Sequence, residues 1–416
     1  MSLCANAIRR FCVIAVIAAT ASCGVQGNPV PEQTDLASLD VGYRAVRPLT
    51  EPPNDSERYG RVLESVRMAE ALIDPAEADP ALKYALGSVR SSPLPTPAKT
   101  TGLLAAPARA VLARYGMIAG FVAGGADREV RGVPLVGAAR MITVLLLRFP
   151  DNDSARRAAQ EIDAIDAAVS TENIAVALDG HPDAHAHWRP TVPTMAATAA
   201  QGPFVISLMI GHTSPDRDAL TGLASAALDA QVTRLDEFRP TSRDEIANLP
   251  LDNEGMLSRM VPEEPGQWPF PMVIAASSEE NAGWNTATLP VGVVYGPRAA
   301  HLHWGRPGDG EPAGEPLELL ALNGLFALAR FADATVARRD YDAHAGEVSE
   351  PGYRAAQAPD DIPDTRCVEY LAASSKALRF SCRILQGRYQ AFVRGRTLES
   401  TYQLAAAQYV LLVTTA

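Results

Sequence analysis

The sequence predicts an α+β protein of two related α/β units, each running strand, helix, strands, helix, joined by an irregular proline- and tryptophan-bearing segment. Three observations carry this. Short apolar runs alternate with amphipathic ones, a series of landmarks recurs in the two halves, and residues 239–289 lose all periodicity. With 416 residues, 47% of them hydrophobic, the chain is long enough to bury a sizeable core as two domains.

Residues 1–22 read as a secretory leader. Arg9 and Arg10 precede an apolar run from Phe11 to Ala19, far short of the roughly 20 residues that span a bilayer as a helix. The small residues Ala21 and Ser22 then precede Cys23, the pattern of a lipoprotein signal, although Thr20 stands where Leu is usual. Cys23 would become the first mature residue and carry a diacylglycerol, which makes membrane lipid the first expected partner. The expected location is the outer face of the cytoplasmic membrane. Residues 23–54 are polar and contain Pro29, Pro31, Pro48, Pro52 and Pro53, so they read as a lipidated tether.

The N-terminal α/β domain is expected over 55–238. Asp55, Ser56 and Glu57 open a helix whose inward face is Val62, Val66, Ala69 and Ile73, and Asp74-Pro75 and Asp79-Pro80 break it. Ser91 to Pro97 reads as a connection, Ala108 to Tyr115 as a helix and Met117 to Ala123 as a strand. The continuous apolar run Met141 to Phe149 predicts a strand buried on both faces. Asn152-Asp153-Ser154 caps a helix to Val169, with Ala155, Ala158, Ile162, Ile165 and Val169 inward. A strand at Phe204 to Ile210 and a helix at Asp216 to Leu235 complete the unit. The connecting segment 239–289, with Trp268 and Trp284, is expected to pack over the seam between the units. The C-terminal α/β domain follows at 290–416.

The repeat rests on paired landmarks. Gly202-Pro203-Phe204 leads through a strand to Gly211 and a helix, as Gly387-Arg388-Tyr389 leads to Gly395 and a helix. Upstream, the strand from Thr143-Val144 to Arg148-Phe149-Pro150-Asp151 is matched with one from Thr335-Val336 to Arg339-Asp340-Tyr341-Asp342. This alignment puts Cys367 near Pro182 and Cys382 near Ala197.

Of the five cysteines, Cys4 and Cys12 leave with the leader and Cys23 is spoken for. Cys367 and Cys382 remain, an even number in an oxidising compartment, so a disulfide is expected between them. It would close a loop of about 15 residues and contribute on the order of 3 kcal/mol. The formal net charge is −11, which disfavours nucleic acid and anionic headgroups as partners.

Five of the seven histidines fall in two phrases, His181-Pro182-Asp183-Ala184-His185-Ala186-His187-Trp188 and His301-Leu302-His303-Trp304. In a strand His185 and His187 share a face, joined by His181 and Asp183 if the strand extends back, a donor set suited to zinc or copper. No G-x-S-x-G, H-E-x-x-H, S-x-x-K or G-x-x-x-x-G-K motif is present. Gly116, Gly120, Gly124 and Gly125 interrupt a strand and mark a bend or hairpin. Arg339 and Asp340 read as structural ion partners, and Glu263-Glu264 and Glu279-Glu280 as solvated pairs. No cofactor is implied.

The chain resembles a family of actinobacterial envelope lipoproteins, of mycobacterial and nocardial type, that carries a domain of unknown function. The resemblance lies in the Cys23 signal, Arg67-Met68-Ala69, Leu251-Asp252 with Gly255-Met256-Leu257-Ser258-Arg259, Tyr295-Gly296-Pro297-Arg298, and the strand between Gly387 and Gly395. It implies an envelope lipoprotein with an α+β double domain and transfers no catalytic residue. The expected function is a non-catalytic ligand-binding or scaffolding module for an envelope lipid, glycolipid or protein, held in a groove between the units. The alternative is an envelope-acting enzyme or metal-binding protein using the clusters His181–His187 and His301–His303.

Overall fold

The computed structural model describes residues 34–87, 91–130, 132–275, 283–284, 288–308, 313–345, 352–371 and 378–415. Cys23, its leader, residues 24–33 and Glu279-Glu280 lie outside the described residues. In chain order the elements are α1 (Glu57–Met68), α2 (Pro75–Ala78), β1 (Tyr84–Ala85), β2 (Ser91–Pro93), α3 (Ala108–Arg114), β3 (Ala119–Ala126), β4 (Met141–Arg148), α4 (Asn152–Ala167), β5 (Ile174–Ala175), β6 (His185–Trp188), β7 (Thr194–Gln201), β8 (Phe204–Gly211) and α5 (Arg217–Glu237). There follow the hairpin β9 (Met272–Ala275) and β10 (Thr288–Val291), then β11 (Val293–Tyr295), α6 (Pro297–Ala300), β12 (Leu317–Asn323), β13 (Phe326–Phe331), α7 (Ala334–Ala343), β14 (Tyr353–Ala356), β15 (Thr365–Tyr370), β16 (Phe380–Gln386), β17 (Tyr389–Gly395) and α8 (Leu398–Thr415). The α+β class is as the sequence predicts.

The two sheets have one topology. The first runs β1-β3-β4-β8-β7-β6-β5, with β2 also on β3, and the second β11-β12-β13-β17-β16-β15-β14. Each repeat is therefore a hairpin, a helix, and four antiparallel strands that fold back beside the hairpin before a last helix. The equivalence is set by two local devices. Arg148-Phe149-Pro150-Asp151 and Arg330-Phe331-Ala332-Asp333 end the equivalent strands β4 and β13. Asp151 caps α4 through the Ser154 N–H at 2.7 Å, and Asp333 caps α7 through the Thr335 and Val336 N–H groups at 2.7 and 2.9 Å. Gly202 and Gly387, at φ 55° and 56°, open two-residue hairpins whose first position demands the left-handed region. Across the sheet, the Phe149 N–H donates to Pro203 and the Phe331 N–H to Arg388, at 2.8 and 2.9 Å.

Thr335-Val336 is thus the first turn of a helix and not a strand, because the Asp333 carboxylate satisfies the N–H groups of these two β-branched residues. The match for Arg148 is Arg330, not Arg339. With the register corrected, Cys367 is paired with Cys382 as Ala186 is paired with Ala197. Cys382 falls on Ala197 as expected, and Cys367 on Ala186 instead of near Pro182. The disulfide is present and buried.

Each sheet is sandwiched. In the N-terminal repeat, Ile142, Val144, Leu146, Ile206 and Leu208 face α5, while Leu145, Leu147 and Val205 face α3 and α4. All eight residues of β4 are buried, as its uninterrupted apolar run requires. In α4, Ala155, Ala158 and Ile162 point inward, but Val169 lies beyond the helix and is 69% exposed. The last helix of each repeat clamps a passing chain with a buried glutamine amide. Gln231 bonds Ala71 O and Ile73 N–H, and Gln408 bonds Arg259 O and Val261 N–H.

One apolar cluster crosses between the repeats, joining Phe121 and Ile118 to Tyr295, Val293, Leu320 and Phe331, so the seam is a filled core and not a groove. Buried Arg306 pins it, donating to Gly124 O at 2.8 Å and Tyr84 O at 2.7 Å. The glycines of β3 serve this approach: a Cβ at Gly125 would lie 2.4 Å from Pro75 and 2.7 Å from Arg306. They mark close packing, not a bend. Trp268 and Trp284 divide, one on the C-terminal core and the other on the α4 side of the first sheet.

Residues 34–54 do not behave as a tether. Leu39 is buried against α8, Gln403 donates to Asp40 at 3.1 Å, and the Leu251 N–H donates to Glu51 at 2.7 Å. The proline-rich stretch Ser91 to Pro97 also contributes the short strand β2.

Candidate functional site

A cleft opens in the N-terminal repeat, between the C-terminal end of α4 and strands β6, β7 and β8, with a volume of about 230 Å³. Leu103, Leu104, Val169, Val192 and Met209 give it aliphatic walls, and Asp166, Asn173, His187, Arg189, Thr194 and Ser207 its polar groups. His187 and Asp166 meet there because strand alternation turns His187 toward α4 while Ala186 joins the core on the other side.

His187 Nδ1 lies 2.8 Å from Asp163 Oδ1, with the histidine buried. Asp166, one turn further along α4, lines the cleft itself. Burial pushes its carboxyl up to about 6; His187 and the Ala105 N–H oppose the rise, and the charge of Asp163 adds to it. Both carboxylates stand at the C-terminal end of a helix with no basic residue in its last turn, where the helix dipole disfavours negative charge. That local inconsistency, in the run Glu161-Ile162-Asp163-Ala164-Ile165-Asp166, is the signal by which the sequence could have revealed them. Asn173 caps the same end, donating to Ala167 O at 3.0 Å.

The predicted metal set is not brought together. His185 and His187 do share a face of β6, but the strand does not extend back. His181 stands in a turn with its Nε2 3.0 Å from Asp229 on α5, and Asp183 is exposed. His301 and His303 lie in a π-helical turn after α6, in contact with other residues: His301 with Asp74 at 3.0 Å and His303 with Ser91 at 3.0 Å. Among the described residues no three His, Cys, Asp or Glu side chains converge to hold a metal ion. Across the strands His187 is aligned with Ala196 and Met209, while Ser207 is aligned with Thr198 and His185. Arg339 and Asp340 both lie on α7, where Arg339 pairs with Glu315 and buried Asp340 accepts the Glu315 N–H at 2.9 Å.

In the C-terminal repeat a cavity of about 10 Å³ lies elsewhere in the repeat, between α7 and strands β12, β13 and β17, by Asp340, Gln390 and Trp304. Two consecutive domain profiles match this chain, that of the N-terminal DUF7373 domain of unknown function over residues 51–251 and that of its C-terminal partner over 256–415. The chain belongs to the DUF7373 family. The boundary between the two profiles falls beside Asp252, a buried carboxylate that accepts the Leu257 and Ser258 N–H groups at 2.8 and 3.0 Å, so the DUF7373 halves meet at a structured corner. None of the curated proteins matches the sequence. Among solved structures, the extracellular domain of PknH from Mycobacterium tuberculosis aligns at 13% identity over 44% of this chain and 98% of that one, with a TM-score of 0.26. So slight a likeness carries no argument about this DUF7373 protein. Among the described residues, no helix is long and apolar enough to cross a membrane.

Proposed function

We propose that the protein is a lipid-anchored extracytoplasmic binding module of the actinobacterial envelope type, non-catalytic, taking a small ligand in the α4–β6 cleft of its N-terminal repeat. The observation that carries the reading is the cleft itself, about 230 Å³ with aliphatic walls and a small set of polar groups that includes Asp166, His187 and Arg189. A concave site with aliphatic walls and a few converging polar groups has the form of a small-ligand receptor. The anchor is supported by the Arg9-to-Cys23 signal and by a buried disulfide of the kind that persists in oxidising compartments.

Two measurements test it. Metabolic labelling with a palmitate analogue should tag the wild-type chain and not Cys23→Ala, and equal labelling of both would overturn the anchor. Native mass spectrometry of protein taken from its own envelope should retain a small-molecule adduct that Val192→Trp, which fills the cleft, releases. An adduct indifferent to Val192→Trp would overturn the cleft as the binding site.

A further inference from the structure

We infer that the ligand of this cleft is an organic cation, an ammonium group on a short hydrocarbon body, with Asp166 as its counter-charge. The inference rests on the binding-module reading above and names the chemistry of the same site. Asp166 is the one carboxylate of the cleft lining, and Asp163 stands behind it on His187. Asp166 and Asp163 stand one helical turn apart on α4 and face one imidazole, His187, from β6. The one arginine of the lining, Arg189, has its Nε 3.7 Å from Glu172. Across the cleft, β7 and β8 present Thr194, Ala196, Ser207 and Met209, all uncharged. Among the described residues, no lysine or arginine forms an ion pair with Asp163 or Asp166.

A carboxylate held in aliphatic surroundings without a full counter-ion is costly in its charged form, and an ammonium delivered by a ligand removes that cost. The upward displacement of the Asp166 carboxyl toward neutrality agrees with a group that lacks such a partner. A bare metal ion does not meet the same need, because among the described residues no three His, Cys, Asp or Glu side chains converge to hold one. The walls at Leu103, Leu104, Val169 and Val192 instead call for carbon, and the negative net charge of the chain favours the approach of a cation.

The test uses the purified full chain and three probes of equal length, n-pentylammonium, pentanoate and 1-pentanol, by isothermal titration calorimetry at pH 7.5. Pentylammonium should bind at least roughly tenfold more tightly than either of the others. Asp166→Asn should abolish that preference while leaving pentanol binding unchanged. Lowering the pH to 5 should weaken pentylammonium binding in the wild type and not in Asp166→Asn. If pentanoate or pentanol binds as tightly as the amine, and Val192→Trp removes that binding, the cation assignment is overturned and the cleft reading stands. If none of the three binds at concentrations up to about 10 mM, both are overturned.

Discussion

The two repeats share a path and differ in what they put at equivalent points along it. The strand before the first helix ends in a buried arginine in both, but Arg148 meets Glu64, which is fully buried, whereas Arg330 meets Glu254 and Glu318 at the surface. Where α4 packs Ala158 against Val205, α7 places Asp340 against Gln390, hydrogen-bonded at 3.1 Å. Where β6 and β7 pair Ala186 with Ala197, β15 and β16 carry the disulfide. The fold is thus specified by caps, hairpin glycines and strand alternation, and its interior chemistry is exchangeable at these positions. The first repeat also has the longer helix at this point, 16 residues in α4 against 10 in α7, and its end brings Asp163 to His187 and Asp166 to the cleft.

The arginines offer the harshest way to break this comparison. Glu64 accepts from Arg148 at 2.5 Å, from Thr241 Oγ1 at 2.6 Å and from Arg67 at 2.6 Å, all in one buried network. Glu64→Gln leaves Arg148 buried without its counter-charge and should cost about 3–5 kcal/mol in urea unfolding. Glu254→Gln, at a glutamate whose side chain is 58% exposed and with Glu318 still beside Arg330, should cost less than about 1 kcal/mol. Equal losses would mean the two arginines do the same structural work.

The disulfide comes next. Cys367→Ala with Cys382→Ala should lower stability by about 3 kcal/mol, for a closed loop with a sequence separation of 15. The reciprocal change, Ala186→Cys with Ala197→Cys, sets two thiols opposite one another on adjacent strands. It should crosslink in an oxidised-glutathione buffer, which takes up the two electrons, read as a loss of thiol titre, with a smaller gain because the loop is shorter. A pair that stays reduced would show that the repeats differ in strand spacing at this point, and not merely in side chains.

How far the sequence revealed this architecture depends on whether the information was local. Met141 to Phe149 is uninterruptedly apolar, so β4 is legible as a central strand, and a hairpin glycine followed by an apolar strand is legible twice. Thr335-Val336 misleads because β-branched residues favour strands, while the deciding bond comes from Asp333 just before them. The tether reading of residues 34–54 fails for a related reason. Its prolines speak for extended chain, and nothing local tells that Leu39 and Glu51 find partners beyond residue 250. His187 stands out because histidine is scarce. Its partners Asp163 and Asp166 are hidden in a helix that looks like any capped amphipathic segment, and only the packing of α4 on β6 brings them to it.

The smallest effect, and the one tied most closely to the cleft, is the response of Asp166 to pH. Its carboxyl is raised from the ordinary 3.8 to about 6, chiefly by burial. Between about pH 4 and pH 6 the folded chain therefore keeps a proton that the unfolded chain has released, so stability falls as pH rises through this window and is flat above it. A rise of this size, discounted for the partial exposure of the side chain, amounts to on the order of 2 kcal/mol. Asp166→Asn has nothing to ionise and escapes the penalty. It should be more stable than the wild type by that amount at pH 7.5 and equal to it at pH 4, in denaturation curves collected across the range. The C-terminal repeat supplies the control, because Asp340 is fully hydrogen-bonded by Gln390 and the Glu315 N–H. Asp340→Asn should bring no gain at pH 7.5, since it disturbs a satisfied pair instead of relieving a strained charge. If Asp166→Asn also brings none, the carboxylate already has a counter-charge in the free protein, and the cleft has no place for a cation.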